Sequence, residues 1–208
     1  MARIITIARG MGSGGRTIGK MLSEQLGMKY YDKELIRLAS EESGINEAFF
    51  GRVDEKLKTS FVRKNGVYKG GLIDPASKDF TSDANLFNFQ AKIIKELAEK
   101  EPAVIVGRCA DFVLRDLDDV IKLFIFCDKE TAVRNVIEAY GGNEKDAAKL
   151  IEKTDKDRCA YYKHYTGRIW EDARNYNICL DTSHMDYQTC VDVIKGYISI
   201  IDKNERVV

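Results

Sequence analysis

Short runs of β-branched and other apolar residues alternate along the chain with longer segments in which apolar residues recur at helical spacing. The first run, residues 3–9, leads through a glycine-rich turn into an amphipathic pattern over residues 15–26. The same reading predicts strands at 28–31, 103–107, 120–127 and 176–180, and helices at 32–43, 46–57, 83–100, 129–140, 143–165 and 185–201. Strands that alternate with helices in this way predict an α/β fold, a parallel sheet with helices on both faces.

Residues 58–83 have no sustained period. They contain Gly66, Gly70, Gly71, Pro75 and several basic side chains. A loop of this length inside a compact domain is often functional. Two interpretations stay open, a solvated basic loop and a flap on the substrate side of a binding site.

Composition narrows the class of protein. A chain of 208 residues fits a single domain, and 33 basic against 33 acidic residues give no reason to expect nucleic acid or an anionic membrane as a partner. No apolar run approaches the roughly 20 residues that a membrane-spanning helix needs. The five cysteines are never spaced C-x-x-C, which argues against a zinc site or a disulfide framework. With a strand at the N-terminus in place of a signal peptide, we expect a cytoplasmic protein.

The glycine-rich turn carries the clearest chemical signal. From Gly10 it reads G-x-x-x-x-G-R-T, one residue away from the phosphate-binding P-loop pattern G-x-x-x-x-G-K-[ST]. Glycines allow successive backbone N–H groups to turn towards an anion, and the following helix N-terminus adds a partial positive charge. Thr17 stands where the P-loop hydroxyl meets Mg²⁺, and Arg16 stands in place of the lysine, with a longer, planar cation. The predicted phosphate-binding residues are Gly10, Gly12, Ser13, Gly14, Gly15, Arg16 and Thr17.

A second candidate follows another predicted strand. Ligands of parallel α/β sheets bind beyond the carboxyl ends of the strands, and Arg108 follows the strand at 103–107. Arg108 could hold an acceptor phosphate through two donors, with Asp111 close by. The alternative is a surface arginine that pairs with Asp111.

The third candidate lies on the charged helix predicted at 143–165. Asp155 and Arg158 are three residues apart and share a helix face, and Lys163 and Arg168 extend the cationic segment. Such a helix could close over phosphates as a lid that excludes water. A solvated helix face is the alternative.

Five motifs, taken in order, resemble those of the cytidylate kinase-like family, a branch of the P-loop nucleoside monophosphate kinases. They span residues 12–15, 31–35, 106–111, 155–158 and 165–170. The resemblance implies a P-loop NTPase-type three-layer fold with a five-stranded parallel sheet. It also implies a helical NMP-binding insertion at about 32–100, a lid at about 141–168, and the use of ATP and Mg²⁺.

Carried over by position, the resemblance implies a role for individual side chains. Arg108 would contact the acceptor nucleotide, Asp155 and Arg158 would reach the acceptor and transferring phosphates, and Arg134 would lie near the donor base. Two positions depart from authentic cytidylate kinases. Arg16 replaces the P-loop lysine, and Cys109 replaces the aspartate of a Gly-Arg-Asp motif, so that Asp111 is left as a candidate substitute.

Two functional hypotheses follow. The first is ATP-dependent phosphoryl transfer to a small acceptor, with a CMP-like nucleoside monophosphate favoured. Arg16, Arg108 and Arg158 would then stabilise the moving charge, and Thr17 would bind Mg²⁺. The second, which Arg16 favours, is a nucleotide-binding regulatory protein with little or no kinase activity. The expected partners are nucleotides, without nucleic acid or membrane, and a homo-oligomer is left open.

Overall fold

A computed structural model describes residues 3–56, 67–68 and 70–205. Its five strands are β1 (Ile4–Arg9), β2 (Lys29–Tyr31), β3 (Ala103–Val106), β4 (Val120–Phe126) and β5 (Ile178–Asp181). They form one sheet in the order β2-β3-β1-β4-β5, and every adjacent pair is parallel. The predicted five-stranded parallel sheet is confirmed.

The helices agree closely with the pattern of apolar positions. They are α1 (Gly15–Leu26), α2 (Glu34–Ser43), α3 (Glu47–Val53), α4 (Asp83–Lys100), α5 (Ala110–Val113), α6 (Lys129–Tyr140), α7 (Glu144–Thr166) and α8 (Tyr187–Glu205), with a 3-10 turn at Ala173–Asn175. The main difference is α3, which ends at Val53 because Asp54 is extended and Glu55 adopts a left-handed conformation with φ of 52°. The predicted helix extends to residue 57, so its last turn is wrong.

Local capping explains where several helices begin. The side chain of Ser82 accepts a hydrogen bond from the backbone N–H of Asn85, and Asp128 accepts one from Thr131. Asn143 caps α7 in the same way, through the N–H of Asp146. Each cap supplies a partner for a backbone donor that the first turn of a helix leaves unpaired.

The sheet separates two apolar clusters, and β1 is buried throughout. One face packs against residues of α2, α3, α4, α5 and the second half of α7. The other face packs against α1 and α8. Because β1 lies between β3 and β4, its carboxyl end opens at the switch point where parallel α/β sheets bind ligands.

Part of the long segment between α3 and α4 is anchored to its surroundings. The side chain of Asn85 accepts a hydrogen bond from Ile73 N–H at 2.9 Å and donates one to the carbonyl of Phe80 at 2.8 Å. Tyr68 N–H donates to the carbonyl of Tyr165 on α7. Residues 57–66 and 69 lie outside the described residues, so the choice between a basic loop and a flap stays a prediction.

None of the helices within the described residues combines the length and the apolar character that crossing a membrane requires.

Candidate functional site

The glycine-rich turn after β1 depends on the absence of side chains. Gly12 and Gly14 have φ angles of 80° and 77°, in the left-handed region that favours glycine. A Cβ at Gly12 would lie 2.6 Å from the carbonyl oxygen of Ala132, and one at Gly14 would lie 2.2 Å from the ring of Tyr187. The turn therefore fits tightly against α6 and the start of α8, and it leads directly into the N-terminus of α1.

A pocket of about 200 Å³ lies over this turn. The side chain of Ser13 is buried, and its hydroxyl donates to the carbonyl of Gly10 at 2.8 Å, so it stabilises the turn from within. Asn135, which the sequence did not single out, donates from α6 to the carbonyl of Gly12 at 2.8 Å. The pocket is lined by Arg9, Gly10, Met11, Gly12, Gly14, Gly15, Arg16, Thr17, Asn135, Val136, Ala139, Tyr140, Arg158 and Tyr187.

Arg16 lies in the first turn of α1, with its side chain 41% exposed. Its Nε is 2.7 Å from a carboxylate oxygen of Asp32, which follows the end of β2. The cation that replaces the P-loop lysine is thus beside the turn and already paired with an acid.

Arg108 lies at the carboxyl end of β3, with φ of 54° and a side chain only 1% exposed. Its guanidinium contacts Asp32 at 3.2 Å, Asp54 at 3.0 Å and the carbonyl of Val106 at 3.2 Å. Arg108 is therefore neither a surface residue nor a partner of Asp111.

Asp111 is buried on α5, where its carboxylate accepts a hydrogen bond from the hydroxyl of Tyr162 at 2.6 Å. Burial raises the pKa of Asp111, and the hydrogen bond from Tyr162 acts in the opposite sense. The carboxylate of Asp111 is therefore hydrogen-bonded to α7.

Asp155 and Arg158 connect α7 to the glycine-rich turn. The Asp155 carboxylate accepts from the backbone N–H of Met11 at 2.8 Å and from Arg158 at 3.2 Å. Burial raises the pKa of Asp155, although both of these donors oppose the rise. Arg158 also donates to the carbonyl of Arg9 at 3.0 Å, so this face of α7 meets the turn and is not a solvated face.

Arg9 and Glu55 are charged residues at the site that the sequence analysis missed as functional candidates. Arg9, the last residue of β1, is buried and forms an ion pair with Glu55. The Glu55 carboxylate also contacts Arg158 Nε at 3.3 Å and accepts from the backbone N–H of Arg108 at 3.1 Å. Burial opposes the charged carboxylate, but Arg9, Arg158 and Arg108 together hold the pKa of Glu55 well below its ordinary value.

The rule that placed Arg108 at the sheet edge could have found Arg9, because both lie at the carboxyl ends of buried strands. Glu55 left no such signal, since its sequence context indicated only the polar face of a helix.

Arg134, Lys163 and Arg168 lie away from the 200 Å³ pocket and from the surroundings of Arg108. Arg134 is exposed on α6, donates to the hydroxyl of Thr131 and lines a groove between α6 and α7. Lys163 is exposed in the last turn of α7, and Arg168 places its guanidinium 5.1 Å from the ring centroid of Phe112. None of the three contacts the glycine-rich turn through a hydrogen bond or an ion pair within the described part of the chain.

Comparison with known proteins decides the family. A model of the cytidylate kinase-like family matches residues 4–184, which include every strand and the site just described. The chain belongs to the cytidylate kinase-like family. The resemblance in the sequence motifs is thereby confirmed.

Curated relatives of this cytidylate kinase-like chain are distant but cover nearly its full length. It is 25% identical to a cytidylate kinase of Methanopyrus kandleri over 97% of the chain and 96% of that protein. It is 24% identical to a cytidylate kinase of Archaeoglobus fulgidus, with 94% of each protein covered.

Solved structures confirm the fold. An uncharacterized protein from Eubacterium ventriosum has a TM-score of 0.71 and 32% identity, over 95% of this chain and 98% of that one. Shikimate kinase from Bacteroides thetaiotaomicron has a TM-score of 0.54 and 14% identity, over 95% and 98% of the two chains. At that identity the likeness to shikimate kinase shows the fold alone, an α/β fold.

Proposed function

We propose that this protein transfers the γ-phosphoryl group of ATP to a small acceptor, and that the acceptor is a nucleoside monophosphate. The observation that carries the proposal is a hydrogen bond of 2.8 Å, which the backbone N–H of Met11 donates to the carboxylate of Asp155. It supports an oxyanion-binding role for the turn, and the helix N-terminus that follows favours negative charge.

The residues at the turn fit a nucleoside triphosphate with its metal ion. Gly12 and Gly14 have no side chains and so let the backbone of the turn lie against Ala132 and Tyr187, and Thr17, an exposed residue, lines the pocket beside the turn. No group of three or more His, Cys, Asp or Glu side chains within the described residues could hold a metal ion alone. Mg²⁺ would therefore be held by Thr17, phosphate oxygens and water, and it would neutralise charge on the phosphates.

Three arginines would act on the charge that moves between the nucleotides. Arg16 would meet the donor phosphates, Arg108 the acceptor and Arg158 the group in transfer. Each is paired with a carboxylate here, at 2.7, 3.0 and 3.2 Å for the pairs with Asp32, Asp54 and Asp155. Phosphates would replace these carboxylates, and a phosphate acceptor needs no side-chain base because it is already anionic.

Acceptor binding would require a conformational change. The cavity beside Arg108 and Arg158 has a volume of about 20 Å³, close to the space that one water molecule needs. We propose that the insertion at 32–100 and the lid at 141–168 move apart to admit the acceptor and then close over it. Such movements exclude water from the transfer step.

The acceptor is proposed to be CMP-like because both curated relatives are named cytidylate kinase. Cys109 is buried beside Arg108, in place of the aspartate of authentic cytidylate kinases. The base of the acceptor nucleotide would therefore lack that carboxylate as a partner. Discrimination between bases depends on such polar contacts, so the acceptor has to be measured.

The test is ADP release from ATP·Mg²⁺ with CMP, dCMP, UMP, AMP, GMP and TMP offered singly. We expect a rate that depends on one pyrimidine nucleotide. The control is Arg174→Gln, which changes an arginine that is 88% exposed and pairs only with Asp172 among the described residues. Binding of ATP without turnover on any of the six would contradict a nucleoside monophosphate acceptor.

A nucleotide-binding regulator is the second candidate, favoured by the pairing of Arg16 with Asp32 and by the small cavity beside Arg108. A regulator would bind ATP and turn over no acceptor. Arg16→Lys would then gain turnover, whereas in an active kinase Arg16→Ala would lose it. Unchanged turnover in Arg16→Ala would remove this residue from the mechanism.

A further inference from the structure

Arg9 lies between the two cavities of the site. One is the pocket of about 200 Å³ over the glycine-rich turn, and the other is the cavity of about 20 Å³ beside Arg108. Among the described residues, only Arg9 and Arg158 line both cavities. In the proposed reaction, the phosphoryl group crosses from the first cavity to the second, so the wall shared by the two cavities is where it passes.

The guanidinium of Arg9 is buried but incompletely paired. Its side chain is 4% exposed, and Nη1 forms the ion pair with Glu55. Neither Nε nor Nη2 has a hydrogen-bond partner among the described residues. Buried polar groups are nearly always paired, because an unpaired donor keeps its full cost of desolvation. Two unpaired donors on one buried cation indicate a ligand that completes them.

Two glycines clear the space that Arg9 occupies. A Cβ at Gly15 would lie 2.6 Å from the Cβ of Arg9, and a Cβ at Gly107 would lie 2.4 Å from its Nη1. Gly107 also has a φ of 79°, so a larger residue would be strained there. The turn after β1 and the turn after β3 are thus both shaped around this cation.

We propose that Arg9 is a further catalytic residue, whose Nε and Nη2 contact the phosphoryl group as it passes between the two cavities. This inference rests on the proposed phosphoryl transfer. In that step the bond from the γ-phosphorus to the β,γ-bridging oxygen breaks and ADP leaves with its electron pair. A lone pair on an acceptor phosphate oxygen forms the new bond. Arg9 stays protonated and lowers the energy of the charge on the transferring group.

Arg9 would act together with Arg158. It would also supply part of the positive charge that the lysine provides in the usual P-loop pattern. Arg158 donates to the carbonyl of Arg9 and contacts Glu55, so the two guanidinium groups approach the same point from β1 and α7. Glu55 holds both before phosphate arrives, which reduces the repulsion between them. A phosphoryl group that enters between them would take over that role.

The variants to compare are Arg9→Gln, Arg9→Lys and the exposed control Arg174→Gln. Affinity is measured with inorganic tripolyphosphate. This probe has no nucleobase, so it tests the binding of phosphate groups at the site without requiring that the acceptor be known. We expect Arg9→Gln to weaken tripolyphosphate binding about 10- to 100-fold, as for a lost hydrogen bond to a charged group. It should lower kcat for acceptor-dependent ADP release by at least about 100-fold and raise the KM for ATP by no more than the factor by which tripolyphosphate affinity falls. Arg9→Lys should recover part of the affinity because it keeps the charge.

A second pair of variants protects the comparison from a folding defect. Arg9→Gln leaves Glu55 with Arg158 but without the second of its two ion-pair partners, whereas the double variant Arg9→Gln with Glu55→Gln also removes the charge of that carboxylate. The double variant is compared with Glu55→Gln alone, so the two proteins differ only at position 9. We expect the same loss of tripolyphosphate affinity between them.

The outcomes separate this inference from the proposed function. Acceptor-dependent turnover in the wild type with no effect of Arg9→Gln on kcat or affinity would overturn the role of Arg9 and leave the kinase intact. Loss of tripolyphosphate affinity, in a protein without turnover on any acceptor, would retain Arg9 as a phosphate ligand and refute the kinase. A tripolyphosphate affinity that falls in Arg16→Gln but not in Arg9→Gln would also overturn the inference.

Discussion

Glu55→Gln tests whether one buried carboxylate holds the arginines around the glycine-rich turn. The side chain of Glu55 is 14% exposed, and its partners Arg9 and Arg158 are 4% and 9% exposed. Glutamine keeps the shape of the side chain and one acceptor oxygen, but it removes the negative charge. Two buried guanidinium groups would then lie close together with less compensation.

The expected cost follows from this burial. Removal of one partner from a buried ion pair costs about 3–5 kcal/mol. We expect the lower end, about 3 kcal/mol, because the amide oxygen of glutamine can still accept from a guanidinium or from the backbone N–H of Arg108. For a chain of this size, that loss lowers the melting temperature by about 6–12 °C.

Urea unfolding at pH 7 and at pH 4 measures both the size and the origin of the effect. The folded state lowers the pKa of Glu55 from its ordinary value of 4.5, so its contribution to the free energy of unfolding is complete above that pH. The contribution is lost as the pH falls below about 4.5. The difference between wild type and Glu55→Gln should therefore be largest at pH 7 and smaller at pH 4.

Glu41→Gln is the matched control, because Glu41 also pairs with an arginine, Arg37, but is 59% exposed. Its variant should unfold within about 0.5 kcal/mol of the wild type. A Glu55→Gln protein that differs from wild type by less than about 1 kcal/mol at pH 7, the size of an exposed pair, would refute the reasoning. A difference that does not change between pH 7 and pH 4 would refute the electrostatic origin.

Two further predictions concern the glycine-rich turn and α7. Gly14→Ala should weaken ATP binding about 10-fold or more, because its Cβ would lie 2.2 Å from the ring of Tyr187 and overpacking displaces the turn. The control is Gly27→Ala, at a residue with a φ of 65° where an added Cβ would have no neighbour within 4 Å. This variant should lose about 1–2 kcal/mol of stability and bind ATP as the wild type does. Equal ATP affinities of the two variants, measured by titration calorimetry, would contradict the steric argument. Tyr162→Phe should lower the free energy of unfolding by about 1–3 kcal/mol in urea, since Asp111 loses the buried hydroxyl that donates to it at 2.6 Å; an unchanged midpoint would show that this hydrogen bond does not stabilise α7.

Patterns among neighbouring residues in the sequence determined most of the fold. The strands, the bounds of α1, α4 and α6, and the glycine-rich turn could be predicted because each depends on neighbouring residues: an apolar period, a cap such as Ser82, or a left-handed glycine. The parallel sheet followed from the alternation of these elements, since a crossover helix joins parallel strands. The edge of the sheet where Arg108 lies followed from the same rule.

Tertiary structure alone decided how the charges pair. Glu55 meets Arg9 across 46 positions and Arg158 across 103, and Asp155 meets the N–H of Met11 across 144. Contacts over such separations leave no period or spacing in the sequence. They depend on where the chain turns after α3 and on how α7 packs over the sheet. The sequence thus located the glycine-rich turn, and the packing of distant elements determined that each arginine around it is held by a carboxylate.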